Sequence, residues 1–281
     1  MIRLADQFAL ALAATACLLL VGCRNVEKRL APSHFRDWTP EQAVLPHAET
    51  RGSRVTVRNV RNCQYFANDV YLVDYYDKTF DLNSVHGVDF IIVPFAGMPA
   101  LAHTMLSFKI AGPDGKADYL AVSVETRKEK GEQYNPIKGS ARQYELIYVL
   151  ADERDVIQYR TNFNGEDVHL YRTTAPPETA RVLLLDVLER VNQIARQPEF
   201  YDTLTNNCTT NIVGHINRIR PNRIMADPRV LLSGYADELA YEQGLIERRG
   251  TFQQTKQQAY VNPLAHRFAG REDFSELIRT R

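Results

Sequence analysis

The sequence predicts an α+β fold, with an antiparallel sheet from the N-terminal half packed on helices from the C-terminal half. Three observations predict it. Alternating apolar residues recur between residues 51 and 171, the signature of half-buried strands. From Pro176 onward the apolar residues fall three and four apart, the period of a helix face. Between two alternating runs stands Gly112-Pro113-Asp114-Gly115, a turn composition that folds them into a hairpin.

The chain of 281 residues opens with a segment unlike the rest. Arg3 precedes an apolar run from Phe8 to Val21, which ends in Leu20-Val21-Gly22-Cys23. Such a run is short for about 30 Å of hydrocarbon. Its ending resembles the lipobox of bacterial lipoprotein signal peptides, where the Cys thiol receives a diacylglycerol. A plain secretory signal is the alternative. Residues 1–22 are therefore expected to be a signal peptide, outside fold reasoning. Cys23 becomes the lipidation site, and Arg24-Asn25 after it suggests the periplasmic face of an outer membrane. Residues 23–50, with Pro32, Pro40 and Pro46, read as a lipid-anchored tether.

A periplasmic domain over 51–225 follows. Arg54 to Val60 alternates as a strand, and Val88 to Phe95 is a short apolar run. The hairpin pairs His103–Ile110 with Tyr119–Glu125. Leu106, Phe108 and Ile110 share one face with Leu120, Val122 and Val124; His103, Met105 and Ser107 share the other with Ala121, Ser123 and Glu125. A symmetric turn sets His103 opposite Glu125, about 5 Å apart at Cβ. A second hairpin is expected from Tyr144–Leu150 and Val156–Thr161, and Val168–Tyr171 adds a strand. Helices are expected over Pro176–Gln197, from Asn207-Cys208 through Ile219, and over Arg229–Ile246. Residues 226–281 form a helical extension and a polar tail. No apolar stretch after residue 23 is long enough to span a membrane.

Composition narrows the function. With 34 Lys and Arg against 34 Asp and Glu, the chain lacks the basic surplus that nucleic-acid binding needs. The histidines and cysteines show no metal-ligand spacing, and no phosphate-cradling glycine loop appears, so neither metal nor cofactor is expected. Outside the cytoplasm disulfides form, so Cys63 and Cys208 are either free thiols or one bridge.

Cys208 falls in the first turn of a helix, with Asn207 or Thr205 as cap. Unpaired backbone N–H groups and the helix dipole there stabilise a thiolate. The position suits a nucleophile aimed at a base on the sheet, and equally an inert buried Cys. His215 lies about 10.5 Å along the same helix, too far to serve it. His103 has a carboxylate neighbour in Glu125, which would orient the imidazole; a solvated His–Glu pair is the plain alternative. Arg127 belongs to a polar turn or binds an anionic head group. Arg127 and Asn207 are the candidate substrate contacts.

Asn59-Val60-Arg61-Asn62, Ala102-His103-Thr104-Met105-Leu106-Ser107-Phe108, Ser123-Val124-Glu125-Thr126-Arg127 and Leu204-Thr205-Asn206-Asn207-Cys208-Thr209-Thr210-Asn211 carry a specific resemblance. Together with Tyr144 to Tyr148 and Asp152 to Asp155, they resemble the Lnb N-terminal periplasmic domain family over residues 55–220. The family takes its name from a lipoprotein N-acyltransferase. The resemblance implies Cys/His thiol acyl chemistry, with Cys208 as acyl-accepting nucleophile, His103 as base and Glu125 as orienting acid. Its substrate would be a phospholipid or a lipoprotein acyl group, a palmitate for example. The acyltransferases that name the family continue into a membrane-embedded portion, whereas here the tie to the membrane is expected at Cys23.

His before Cys also resembles, more loosely, the permuted papain-like (NlpC/P60-related) group. Two alternatives therefore stand beside the acyltransferase: a cell-wall cysteine amidase or peptidase, and a non-catalytic binding module with a structural disulfide.

Overall fold

A seven-strand path runs through the sheet of the computed structural model, which describes residues 31–112, 115–133, 135, 139, 142–221 and 223–280. The expected signal peptide and Cys23 lie outside these residues. The strands are β1 (His47–Arg51), β2 (Arg54–Arg61), β3 (Gln64–Tyr65), β4 (Tyr71–Leu72), β5 (Tyr75–Asp81), β6 (Val85–Phe95), β7 (Met98–Ala111), β8 (Ala117–Arg127), β9 (Glu145–Asp152) and β10 (His169–Arg172). Their order in the main sheet is β1-β2-β9-β8-β7-β6-β10, with β5 also on β2, while β3 and β4 form a separate pair. The sheet is mixed, not antiparallel throughout. β2 meets β9 in parallel at Arg61 and Ala151, because β9 leaves β8 running in the direction of β2.

The predicted hairpin is β7–β8, in the expected register: Ala111 opposes Ala117, Leu106 opposes Val122 and Met105 opposes Ser123. Pro113 and Asp114 of its turn lie outside the described residues. Strand alternation then sorts the core into two layers. Leu106, Phe108, Val122 and Val124 face α2 (Pro177–Arg196) and α3 (Cys208–Ile219). Met105, Ala121, Ile147 and Val149 face α1 (Glu153–Gln158) and the C-terminal residues Ala265, Phe274 and Ile278. Both faces are covered, so β9 is buried along nearly its whole length.

Three expectations are corrected by packing. Val156–Thr161 is no strand: Asp152 caps α1 by accepting from Arg154 N, and a single π-type turn over Tyr159–Phe163 follows. Glu153 and Asp155 hold that helix in place by pairing below the sheet with Arg279 and Arg61. The expected helix over Arg229–Ile246 is broken into single turns at 228–230 and 233–235 and the short α4 (Ala236–Glu242). Beyond it the C-terminal extension continues as α5 (Phe252–Ala259), α6 (Asn262–Arg267) and α7 (Phe274–Leu277). Residues 31–50, expected as tether, pack on the domain: Trp38 is buried and His47–Arg51 is the edge strand.

The tail is held by charge. Arg279 donates to Asp89 at 2.8 Å and to both oxygens of Glu153 at 2.5 and 2.8 Å, with its guanidinium 3.8 Å from the Tyr119 ring centroid. Ser107 Oγ donates to the same Glu153 carboxylate. Removing the cation leaves two buried carboxylates facing each other. Arg279→Ala is therefore expected to cost roughly 3–5 kcal/mol, read as a lowered urea midpoint; an unchanged midpoint would show that these ion pairs do not hold the tail.

Candidate functional site

The first turn of α3 is built by its cap. Asn207 Oδ1 accepts from Thr210 N at 2.9 Å, and Thr210 Oγ1 accepts from Asn207 N at 2.8 Å. Asn207 Nδ2 donates to Thr203 O at 2.6 Å, anchoring the turn before the helix. This reciprocal capping box is worth about 1 kcal/mol and sets where the helix begins. Cys208 is the first helical residue. Its thiol is buried, 3.9 Å from Ala102 O and 3.8 Å from Thr209 Oγ1. Thr209 Oγ1 in turn meets Thr104 Oγ1 of β7 at 3.1 Å.

His103 is one residue along β7 from Ala102, so alternation sends it to the opposite face of the sheet. What joins the two sides is a parting of strands. β7 and β8 pair only as far as Met105 and Ser123, whereas β7 stays with β6 beyond Ala102 and β8 stays with β9 to Arg127. A cavity of about 170 Å³ lies in the gap, lined by His103, Glu125, Arg160, Asn207 and Cys208 among others.

Within it His103 and Glu125 do not touch directly. His103 Nε2 meets Ser123 Oγ at 2.7 Å, and Ser123 Oγ donates to Glu125 Oε1 at 2.7 Å. The serine has one proton and gives it to the carboxylate, so Nε2 must be the donor and Nδ1 the basic nitrogen. Gln42 Nε2 donates to Glu125 Oε2 at 3.0 Å, and Arg160 lies 3.7 Å from Glu125 Oε1. Burial pushes the His103 ring down to about 3; Arg160 adds to this and Glu125 opposes it. Burial alone would raise Glu125, yet Arg61, His103, Arg160 and the Ser123 hydroxyl together hold it down to about 2. The site thus rests as neutral imidazole beside an ionised carboxylate. No hydrogen bond joins His103 to Cys208 in this state.

Sequence reasoning placed Cys208, His103, Glu125 and Asn207, and the structure gathers all four around one cavity. It missed Ser123, Gln42 and Arg160. Ser123 could have been found, since it shares the strand face with both His103 and Glu125. Gln42 and Arg160 arrive from segments read as tether and strand. Arg127 is placed elsewhere: it is buried, donates to Gln42 O and Ala43 O at 2.9 and 2.7 Å, and stacks on Trp38 at 4.3 Å. Its guanidinium fastens the N-terminal segment and presents nothing to an anionic ligand.

The other candidates have structural partners. Cys63 and Cys208 are both free and stand in separate surroundings. Cys63 N donates to Asp155 at 2.7 Å, and burial with the nearby Asp155 pushes its thiol up to about 11. His215 links three elements, through Asp186 of α2 at 2.5 Å and Tyr148 of β9 at 2.8 Å. Among the described residues no cluster of three His, Cys, Asp or Glu side chains could hold a metal, and no helix is long and apolar enough to cross a membrane.

The model of the family described as the Lnb N-terminal periplasmic domain matches residues 71–234, more than half of the chain. No curated protein and no solved structure matches the sequence. The matched region runs from β4 to the turn at Ser233 and contains Cys208, His103, Ser123 and Glu125.

The depressed values of His103 and Glu125 make stability depend on pH. Both groups bind protons more readily unfolded than folded, so their contribution is complete above about 6.5 and is lost as pH falls towards 3. Between pH 7 and 5 the loss comes chiefly from His103, because Glu125 ordinarily titrates nearer 4.5. Urea midpoints at these two pH values should fall further for the native protein than for His103→Gln. Equal falls would mean that the ring is not held neutral by burial.

Proposed function

Because this chain belongs to the Lnb N-terminal periplasmic domain family, and so carries an extracytoplasmic domain, we propose that it is a thiol acyltransferase with Cys208 as nucleophile. We place it on the periplasmic face of an outer membrane, anchored by lipid at Cys23. The observation that carries the reading is one cavity holding a helix-N-terminal thiol and a neutral histidine of defined tautomer.

The chemistry follows from these groups. The Cys208 thiol gives its proton to His103 Nδ1 and attacks the acyl carbonyl. A sulfur–carbon bond forms and the carbon–oxygen bond of the ester breaks, with the proton returned to the departing alkoxide. Backbone N–H groups of Cys208 and Thr209, the first two of the helix, have no acceptor within it and face developing oxyanion charge. Glu125 is a positioning residue that acts through Ser123. Catalytic hydrogen bonds are often long in a resting site and tighten once substrate is bound. His103 and Cys208 are therefore required to approach when the cavity is filled. An amine or water then receives the acyl group from the thioester.

Intact-mass analysis of the purified protein incubated with phospholipid tests this. The expected result is a hydroxylamine-sensitive acyl adduct on Cys208, absent in Cys208→Ser and formed on the order of 10²–10⁴ times more slowly in His103→Ala. A Cys208 that takes a thiol probe yet never an acyl group would overturn the acyltransferase and point to a cysteine amidase.

A further inference from the structure

A second cavity lies directly behind the Cys208 turn and differs from the first in chemistry. It has a volume of about 140 Å³ and is walled mostly by aliphatic side chains, among them Leu106, Ile212, Val213, Ile216, Leu239 and Ala240. A space of this size holds a group of about six carbons. The two cavities are lined by neighbouring residues of the same two segments. Cys208 lines the polar one and the adjacent Thr209 lines the aliphatic one. In the 230–236 segment, Leu231 and Ser233 line the first cavity while Val230 and Ala236 line the second.

Segment 230–236 is laid against β7 by a specific contact. Ser233 Oγ accepts from Ala102 N and donates to Ala102 O, both at 2.8 Å. Gly234 sits so close that a Cβ there would stand 2.0 Å from Pro99 O. The outer side of this segment is unusually apolar: Leu231, Leu232 and Tyr235 are each more than 40% exposed, as are Leu204 beside Thr203 and Met98 at the start of β7. Single exposed apolar residues are ordinary, but three on one short segment, with Leu231 also lining the first cavity, mark a surface that meets apolar material.

We propose that the aliphatic cavity is the chain site of the acyl donor: a linear hydrocarbon chain whose carbonyl lies at Cys208 passes Thr209 and enters between α3 and the 230–246 segment. The proposal rests on Cys208 being the acyl acceptor and names the feature that selects the acyl group. Short acyl groups would reach the thiol without filling the cavity; chains of about six carbons or more would fill it.

The test compares p-nitrophenyl acetate with p-nitrophenyl octanoate on the full chain, following p-nitrophenolate release and the mass of Cys208. Each transfer forms a thioester at Sγ, expels p-nitrophenolate and leaves the thiol proton with His103 or solvent. Octanoate is expected to acylate on the order of tenfold faster or more than acetate. Val213→Trp, which fills the cavity from its half-buried edge, should abolish that preference, read as the ratio of octanoate to acetate rates within the one variant; an unchanged circular dichroism spectrum checks its fold. Equal rates for both esters in the native protein, or a preference that survives Val213→Trp, would overturn the proposal. If neither ester acylates Cys208, the acyltransferase reading fails separately. Binding of octanoate to native protein and to Cys208→Ser, followed by titration calorimetry and lost in Val213→Trp, then decides the cavity alone: no binding sinks it.

Discussion

The rung between Met105 and Ser123 is the last that β7 and β8 share, and the candidate site depends on its being the last. A sheet that stayed zipped would set Ala102 and Cys208 above an unbroken surface, with His103 and Glu125 sealed beneath it. The parting has to satisfy backbone groups that lose their strand partner, since a buried unpaired N–H or C=O is costly. Ser233 supplies that replacement, bonding both backbone groups of Ala102 with one hydroxyl. The segment that opens the cleft is thereby also the one that walls it.

Charge arrangement explains why the two cysteines differ. Below the sheet, acids are paired with arginines: Asp155 with Arg61, and Glu153 and Asp89 with Arg279. Cys63 has its backbone bonded to one of these acids, so a thiolate there would be buried beside a carboxylate. Cys208 lies on the other face, at a helix N-terminus and beside neutral hydroxyls and a carbonyl. Glu125 belongs to the charged layer, and the arginines of that layer keep it ionised although buried. Ser123 carries its influence to the imidazole across a distance that the two strands, once parted, no longer bridge directly.

Much of this arrangement was legible in local pattern. The β7–β8 register followed from alternation and a glycine-proline turn, because slipping by one residue would turn Leu106, Phe108 and Ile110 out of the core. The cap at Asn207 followed from side-chain chemistry that acts within four residues. Two of the misreadings turn on charged residues that look solvated in sequence and are buried in the fold. Glu153 and Asp155 looked like a turn until Arg279 and Arg61 met them from 126 and 94 residues away. Arg127 looked like an exposed cation, yet Trp38 and two carbonyls enclose it.

The sequence by itself determined the α+β class, the strand and helix that carry His103 and Cys208, the face each residue takes on its own element, and the family. These depend on periodicity and short-range hydrogen bonding, which neighbouring residues settle among themselves. Only the tertiary structure decided that two opposite faces open into one cavity, that a serine stands between His103 and Glu125, and that an aliphatic chamber adjoins the thiol. Each of these depends on where a strand loses its partner and on what a distant segment brings to replace it. Such a contact stabilises through packing and desolvation between residues far apart in the chain, and local pattern does not encode which of them meet.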